Sequence, residues 1–461
     1  MNPDQNTLTS RRTLLKTAGG VAALSALSGV KLPAVHSAGS DTVQVALVGC
    51  GGRGSGAAVQ ALSTKGPVKL VAMADAYADR LNSSFDNINK TTPGKVDVPA
   101  DRKFIGWDAY KSAMDSLKPG DVVILTTPPA FRWVHFTYAI QKGLNVFMEK
   151  PVTVDGPTSK KMLKLAEEAS AKNLKVGVGL MSRHAQHFQQ LHDQIKNGLL
   201  GDVILMRGYR MQGPVADSVL GPKPASMDHL EFQVRHFHAF LWASGGCFSD
   251  FNIHHIDHLC WMKDAWPVKA QAVGGKHYKV GPDGKEYVDQ NFDSYSVEYT
   301  FQDGSKCFFD GRTMEGAVGI YSSYVHGSKG VAVAARAGDH FGPSVIYKGQ
   351  NMDPSKMIWQ SKGDTDPYQN EWDHLMEAIR NDKPYNEVER GVMASAVTSM
   401  GRMAAHTAQE ITLQEMLNCD HEFAPNVDKL TKGSPAPLLP GPDGRYPVPQ
   451  PGLIGKREYK G

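Results

Sequence analysis

The chain has 461 residues, 41% hydrophobic and 21% charged, and its 50 Lys and Arg against 47 Asp and Glu leave a formal charge of +3. That is the balance of an ordinary soluble protein, too long for one compact domain and suited to two, and it offers no basic field for nucleic acid or an anionic membrane. The five cysteines, Cys50, Cys247, Cys260, Cys307 and Cys419, are odd in number and show no C-x-x-C spacing, which argues against a disulfide framework.

In chain order, Ser10-Arg11-Arg12-Thr13-Leu14-Leu15-Lys16 comes first, followed by a run of small and apolar residues over 17–30. It resembles a twin-arginine export signal. The run is too short to span a membrane as a mature helix. Small residues over 34–40 allow cleavage, so residues 1–38 read as a signal peptide and the mature chain begins near Gly39. The expected partner is the twin-arginine export machinery, and the expected location is periplasmic or otherwise exported.

Residues 42–48 form a β-branched strand that runs straight into Gly49-Cys50-Gly51-Gly52-Arg53-Gly54, with a helix suited to 57–62. This is G-x-G-x-x-G in a strand-turn-helix setting, the arrangement that holds a dinucleotide. Gly49 permits the tight turn, Gly51 lets a pyrophosphate approach the backbone, and Gly54 lets helix and strand pack closely. A second strand, 68–74, ends at Asp75, about twenty residues past the loop, where a carboxylate bonds a ribose 2′-hydroxyl and repels a 2′-phosphate. That favours NAD over NADP. A third strand, 121–127, ends in Pro128-Pro129 and sets Thr126, Thr127 and Pro128 against the cofactor. A helix over 133–142 leads to the apolar run 143–148, a buried parallel strand ending in Glu149-Lys150-Pro151. Catalytic groups of open α/β sheets sit at such carboxyl ends, so Glu149 and Lys150 join the cofactor-binding candidates. A helix over 161–171 and a strand over 174–179 close a doubly wound domain of residues 41–181.

Arg183, His184 and His187 follow that last strand and are placed to reach the cleft. Arg235-His236-Phe237-His238 with Trp242 is a basic and aromatic cluster suited to stacking on a sugar ring, with a core role as the alternative. A helix over 249–261 puts Asp250, His254, Asp257 and His258 on one face. Removing a hydroxyl proton needs a base that titrates near neutrality, which suits histidine. His254 and His258 with Asp250 also have metal-ligand spacing, but no H-E-x-x-H or third-ligand pattern accompanies them and no metal is expected. In the remainder of a second domain, 182–420, strands over 203–210 and 268–273 and a hairpin of 294–301 and 305–310 about Gln302-Asp303-Gly304 describe a mostly antiparallel sheet. Helices over 368–381 and 390–410 come next, then a segment of residues 421–461, rich in Pro and Gly from 434 on, that reads as a surface arm or oligomer contact.

Several of these features occur together: the glycine loop, Asp75, the Thr-Pro strand end, His135 ahead of Gly143-x-x-Val146, Glu149-Lys150-Pro151, and Gly245-Gly246-x-x-x-Asp250-x-x-x-His254-x-x-Asp257. Jointly they resemble the glucose-fructose oxidoreductase, inositol dehydrogenase and MocA family (Gfo/Idh/MocA) over nearly all the mature chain. The resemblance implies a Rossmann domain followed by an α+β domain whose large sheet serves substrate or subunit contacts, in a homodimer or homotetramer. It implies that Lys150 lies beside the nicotinamide and the substrate hydroxyl, with Asp250 and His254 completing the catalytic set. Arg183 and His238 join those three as substrate-binding candidates. The expected activity is NAD-dependent hydride transfer at a secondary hydroxyl of a sugar, glycoside or cyclitol. Export of the folded protein requires that the cofactor be held tightly and regenerated within the cycle.

Two alternatives stand beside it. One is a glycoside hydrolase that cycles NAD through oxidation, elimination, hydration and reduction. The relatives associated with that branch carry a different tripeptide at Glu149-Lys150-Pro151. The other is a non-catalytic sugar-binding module, against which the intact Lys150, Asp250 and His254 argue.

Overall fold

The structure is a computed structural model that describes residues 42–336, 342–363 and 366–460. The signal-like segment 1–38 lies outside the described residues. β1 (Val43–Val48), β2 (Val68–Asp75), β3 (Lys103–Ile105), β4 (Val122–Leu125), β5 (Asn145–Met148) and β6 (Val176–Val178) form a parallel sheet in the order β3-β2-β1-β4-β5-β6. β1, β4 and β5 are almost wholly buried, because helices cover both faces of a parallel sheet. The order reverses at β1, which pairs with β2 on one side and β4 on the other, and a crevice opens at the carboxyl ends of these two neighbours.

One cover of this sheet comes from far along the chain. Helix Pro367–Arg380 lays Trp372 on Phe147 of β5, ring centroids 4.4 Å apart, and packs Leu375 against Gly177 of β6. A segment expected in the second domain thus completes the core of the first.

The second sheet has nine strands: β7 (Val203–Gln212), β8 (Lys269–Gly275), β9 (Ser294–Thr300), β10 (Lys306–Thr313), β11 (Ile320–Gly327), β12 (Gly330–Ala335), β13 (Val345–Lys348), β14 (Met357–Gln360) and β15 (Ile411–Thr412). They run in the order β14-β13-β12-β11-β7-β10-β9-β8-β15, antiparallel except where β7 meets β10. The β9–β10 hairpin pairs Thr300 with Lys306 and turns through Gly304 at φ +84°. Helices Gly246–Lys263 and Val388–Thr407 are buried on nearly every side, which is why neither carries an amphipathic stripe.

The 421–460 stretch, expected as a surface arm, is built into the body. Phe423, Leu438, Tyr446 and Tyr459 share a core with Phe131, Phe240 and Trp242. Its anchor is Glu458, whose carboxylate accepts two bonds from the Arg402 guanidinium at 2.8 and 2.9 Å. Arg402 is 1% exposed and also donates to Gly245 O, Ser249 Oγ and Val154 O. Burial opposes the charge on Glu458, but Arg402 and His406 outweigh it and bring its pKa down to about 2.

Glu458→Ala, which leaves a guanidinium buried without its counter-ion, is expected to destabilise the protein by about 3–5 kcal/mol in urea unfolding at pH 7. The contribution is complete above the unfolded carboxylate value of about 4.3 and is lost as pH falls through about 2. A loss under about 1 kcal/mol would mean that the Arg402 charge is met by other acceptors.

Candidate active site

At the crevice, Gly49 takes φ +96°, and a Cβ there would stand 2.7 Å from Thr127 N. A Cβ on Gly54 would stand 2.1 Å from Gly49 O, so the helix can start this close to β1 only with glycine. At Gly51 an added Cβ would meet only Arg80 Nη1, at 4.0 Å, and at Gly52 nothing within 4 Å. This open floor at the N-terminus of helix Gly52–Ser63, with no acidic residue in its first turn, fits a dinucleotide pyrophosphate. Thr126 Oγ1 ties the loop to β4 by donating to Gly49 O at 2.6 Å. Cys50 contributes backbone alone: its thiol turns inward to Ala74 O, and its N–H donates to Asp75 Oδ2 at 2.6 Å. Tyr77 N donates to Asp75 Oδ1 at 2.9 Å. Burial raises the Asp75 pKa while these two donors pull it back, and the residue lines the cavity as well as bracing the turn.

A cavity of about 600 Å³ runs from this loop to the second sheet's helices. Glu149 faces it but is engaged by Arg53, whose Nε lies 2.6 Å from Glu149 Oε1, so the pair fastens the glycine loop to the end of β5. Lys150 follows, joined to Pro151 by a cis peptide bond. Its Nζ donates to the backbone oxygen of Asp250 at 2.8 Å and lies 3.5 Å from Asp250 Oδ1. Asp250 is presented by helix Gly246–Lys263, which begins at two left-handed glycines. A Cβ on Gly245 would stand 2.4 Å from Arg402 Nη1, and one on Gly246 would stand 2.7 Å from Asn291 Oδ1. The opposite side of Asp250 is met by His238, with Nε2 3.2 Å from Oδ2, while His238 Nδ1 is 3.6 Å from Asp217 Oδ2. Burial opposes charge on His238, but the two carboxylates prevail and its pKa stands at about 9. Asp250 is also buried, yet Lys150, His238 and His254 hold its carboxyl well below the usual range.

The structure therefore brings Gly49, Gly51, Gly52, Arg53, Gly54, Asp75, Thr126, Thr127, Pro128, Glu149, Lys150, His238 and Asp250 to one cavity. Cys50, Arg183, His184, His187 and His254 do not line it, His184 meeting His374 at 2.8 Å and His187 meeting Ser361 Oγ at 2.9 Å. Arg183 is not a lining residue: its Nε and Nη2 clasp the buried Asp257 carboxylate at 2.8–3.1 Å. His254 sits one turn along the helix from Asp250, 6% exposed, and touches the site through the charge of Asp250 rather than by lining the cavity. The helix face read from sequence is thus divided, since His258 turns to Ser323 Oγ at 2.9 Å. Trp242, offered for sugar stacking, is fully buried and donates to Gln233 Oε1 at 2.6 Å.

Sequence reasoning missed Arg132, Tyr77, Arg80 and Asp217. Arg132 is 1% exposed and donates to Leu125 O and, at 2.9 Å, to Thr127 O, bracing the end of β4. Its charge, with burial as the larger cause, lowers the His135 pKa to about 3, so His135 is a neutral partner for Thr127 Oγ1 at 3.1 Å. Asp217 sits in an irregular loop with no periodic signal to mark it. Among the described residues no group of three or more His, Cys, Asp or Glu is placed to hold a metal ion.

Residues 43–180 match the oxidoreductase family whose shared element is the NAD-binding Rossmann fold, Gfo/Idh/MocA. The rhizopine catabolism protein MocA of Rhizobium meliloti is 24% identical over 237 residues, 50% of this chain and 61% of that protein. Inositol 2-dehydrogenase of Rhizobium meliloti (strain 1021) is 25% identical over 299 residues, 64% of this chain and 76% of that one. The structure of scyllo-inositol dehydrogenase from Lactobacillus casei, with bound NAD(H) and scyllo-inositol, superposes with a TM-score of 0.59 at 17% identity, covering 81% of this chain and 99% of that chain. The fold is therefore shared along almost the whole of that enzyme, and residues 43–180 are similar to the NAD-binding Rossmann domain of the Gfo/Idh/MocA oxidoreductases.

Gly54→Ala drives a methyl group into Gly49 O, so the variant is expected to bind NAD at least ~10-fold more weakly by titration calorimetry, a loss of about 1.4 kcal/mol or more. Unchanged affinity would show that the turn relaxes without cost.

Proposed function

We propose that the protein transfers hydride between a tightly held NAD and a secondary hydroxyl of a sugar, glycoside or cyclitol. One observation carries the reading: the ammonium of Lys150 and the carboxylate of Asp250 meet at 3.5 Å in the same cavity whose far end is the glycine loop. NAD, when bound, supplies the acceptor for hydride. Gly51, Gly52 and Gly54 would seat its pyrophosphate, and Asp75 its adenosine ribose, which is the ground for preferring NAD to NADP.

In the oxidation of an alcohol, negative charge grows on the substrate oxygen as its proton is lost, and that charge drives hydride from the carbon as the carbonyl forms. Lys150, 13% exposed at its side chain and fixed by the backbone oxygen of Asp250, is poised to stabilise that charge where little water competes. Asp250 orients Lys150 and is free at its remaining lone pairs to accept a neighbouring hydroxyl. His254, which does not itself line the cavity, is the acid–base group of the proposal and would take the hydroxyl proton by way of the Asp250 carboxylate one helical turn away. Beside the charged Arg80, Arg132, Asp217 and Arg235, the lining carries the aromatic faces of Trp107, Tyr110, Phe131, Phe237 and Phe251, which suit a ring-shaped polyol. Relatives acting on inositol support this substrate class.

Export through the twin-arginine route, read from Arg11-Arg12, is part of the same proposal, and it accounts for the need to retain the cofactor. Assembly into dimers or tetramers through the second sheet is a further part, supported by Ile204, Phe308 and Ile320 standing exposed on β7, β10 and β11.

The test uses protein carrying NAD and a panel of myo-inositol, D-glucose and a methyl glucoside, with absorbance at 340 nm as the signal. Absorbance gain with a panel member is the expected result. Lys150→Ala and His254→Ala are each expected to lower the rate at least ~100-fold, the usual scale of a lost electrostatic or acid–base group. Near-wild-type turnover in both would refute the assigned roles, and release of a glycoside's leaving group without net absorbance change would favour the NAD-cycling hydrolase.

A further inference from the structure

His238 is the cavity imidazole that meets Asp250, and it is held differently from an acid–base histidine. Each ring nitrogen faces a carboxylate, Nε2 towards Asp250 and Nδ1 towards Asp217, so both nitrogens must carry a proton to satisfy the geometry. The ring cannot turn to escape this arrangement, because Phe251 stacks on it at 5.3 Å and Phe237 lies 3.9 Å away. The backbone is pinned too, its carbonyl accepting from Asn291 Nδ2 at 3.1 Å and lying 3.7 Å from the Cys247 thiol. Asp217 is itself steadied by His236, whose Nδ1 lies 2.9 Å from Oδ1. The side chains form an alternating row, His236, Asp217, His238, Asp250, Lys150, in which side-chain exposure falls from 35% at His236 to 10% at Asp250.

We infer that Asp217 and His238 are positioning residues: Asp217 keeps His238 cationic, and that fixed charge holds the Asp250 carboxylate ionised and aimed at Lys150. The inference rests on the hydride-transfer reading above and adds to it the device that assembles the Lys150–Asp250 pair. A doubly held imidazolium is a poor proton acceptor at neutral pH, which divides the labour between His238 and His254. Other charges around the ring do not replace this one. Arg210 on β7 spends Nη1 on Phe251 O at 2.7 Å, and Lys150 lies beyond Asp250 on its opposite side. With its pKa at about 9, the His238 cation persists below that pH and is lost as pH rises through it.

The deciding measurement is histidine-ring ¹⁵N NMR of the NAD-bound protein, which needs no substrate. Both His238 nitrogens are expected to be protonated at pH 8, and Asp217→Asn is expected to move the His238 titration down by at least one pH unit. A neutral His238 ring at pH 8 in the unaltered protein, or a titration indifferent to Asp217→Asn, would overturn the inference.

With any polyol that reduces the bound cofactor, the high-pH limb of kcat is expected near 9, to shift down in Asp217→Asn, and to leave KM within a few-fold. His238→Gln is expected to lose roughly 10- to 100-fold in kcat, the cost of a misplaced catalytic group, and His238→Lys to recover part of that loss as a fixed cation. A uniform fall in kcat with an unmoved limb would mean a merely structural role. If no polyol in the panel reduces the cofactor, the hydride-transfer reading is what fails, while the NMR result still decides whether His238 is a cation held by Asp217.

Discussion

A single buried guanidinium gathers the parts of this protein that have to meet. Arg402, on helix Val388–Thr407, bonds Val154 just past the Glu149-Lys150-Pro151 strand end, Gly245 and Ser249 at the start of the helix that carries Asp250, and Glu458 near the end of the chain. A guanidinium can do this because its five donors lie in one rigid plane and remain charged at any accessible pH. Burying it is costly, and the carboxylate of Glu458 with three neutral oxygens offsets that cost. The distance between the Lys150 and Asp250 backbones is therefore set by a side chain that touches neither the cavity nor a reacting atom.

Within the cavity the same economy of charge recurs. Arg53 answers Glu149, Lys150 answers Asp250, and His238 stands between Asp250 and Asp217. Asp250 and Asp217 are thereby kept ionised against the desolvation that would protonate them, and each cation is held where it would otherwise have swung towards water. Such pairing suits the proposed hydride transfer, in which transient charge develops on a neutral polyol. The site is already polarised before substrate arrives, so little reorganisation is needed as the charge develops. The aromatic side chains around these groups lower the local dielectric, which makes the charges count for more.

Much of the first sheet was legible because its signals are local. Strand, tight glycine turn and helix are consecutive in Thr42 to Leu62, and the steric reason for each glycine can be stated without knowing the rest of the chain. Lys150 and Asp250 were legible for a related reason, since each ends or begins an element whose character is written in a few neighbours. Arg183 and the 421–460 segment misled. An arginine after a strand end can reach a cleft or a buried aspartate with equal local sense, and here the aspartate, Asp257, wins. Proline and glycine suit a surface arm, yet the aromatic residues between them pack against Phe131 and Trp242 once a partner surface exists.

The amino-acid sequence by itself determined the element types, the nucleotide loop and the residues able to bear charge at the carboxyl edge, because these depend on backbone sterics and on periodicities of a few residues. Only the tertiary structure decided which of His238 and His254 lines the cavity. His238 and His254 are chemically identical, and their surroundings diverge through Asp217, a loop residue whose pairing with His238 is made by folding rather than by sequence proximity. It also decided that helix Pro367–Arg380 should close the first sheet, since a covering helix is chosen by the apolar surface left uncovered and not by its place in the chain.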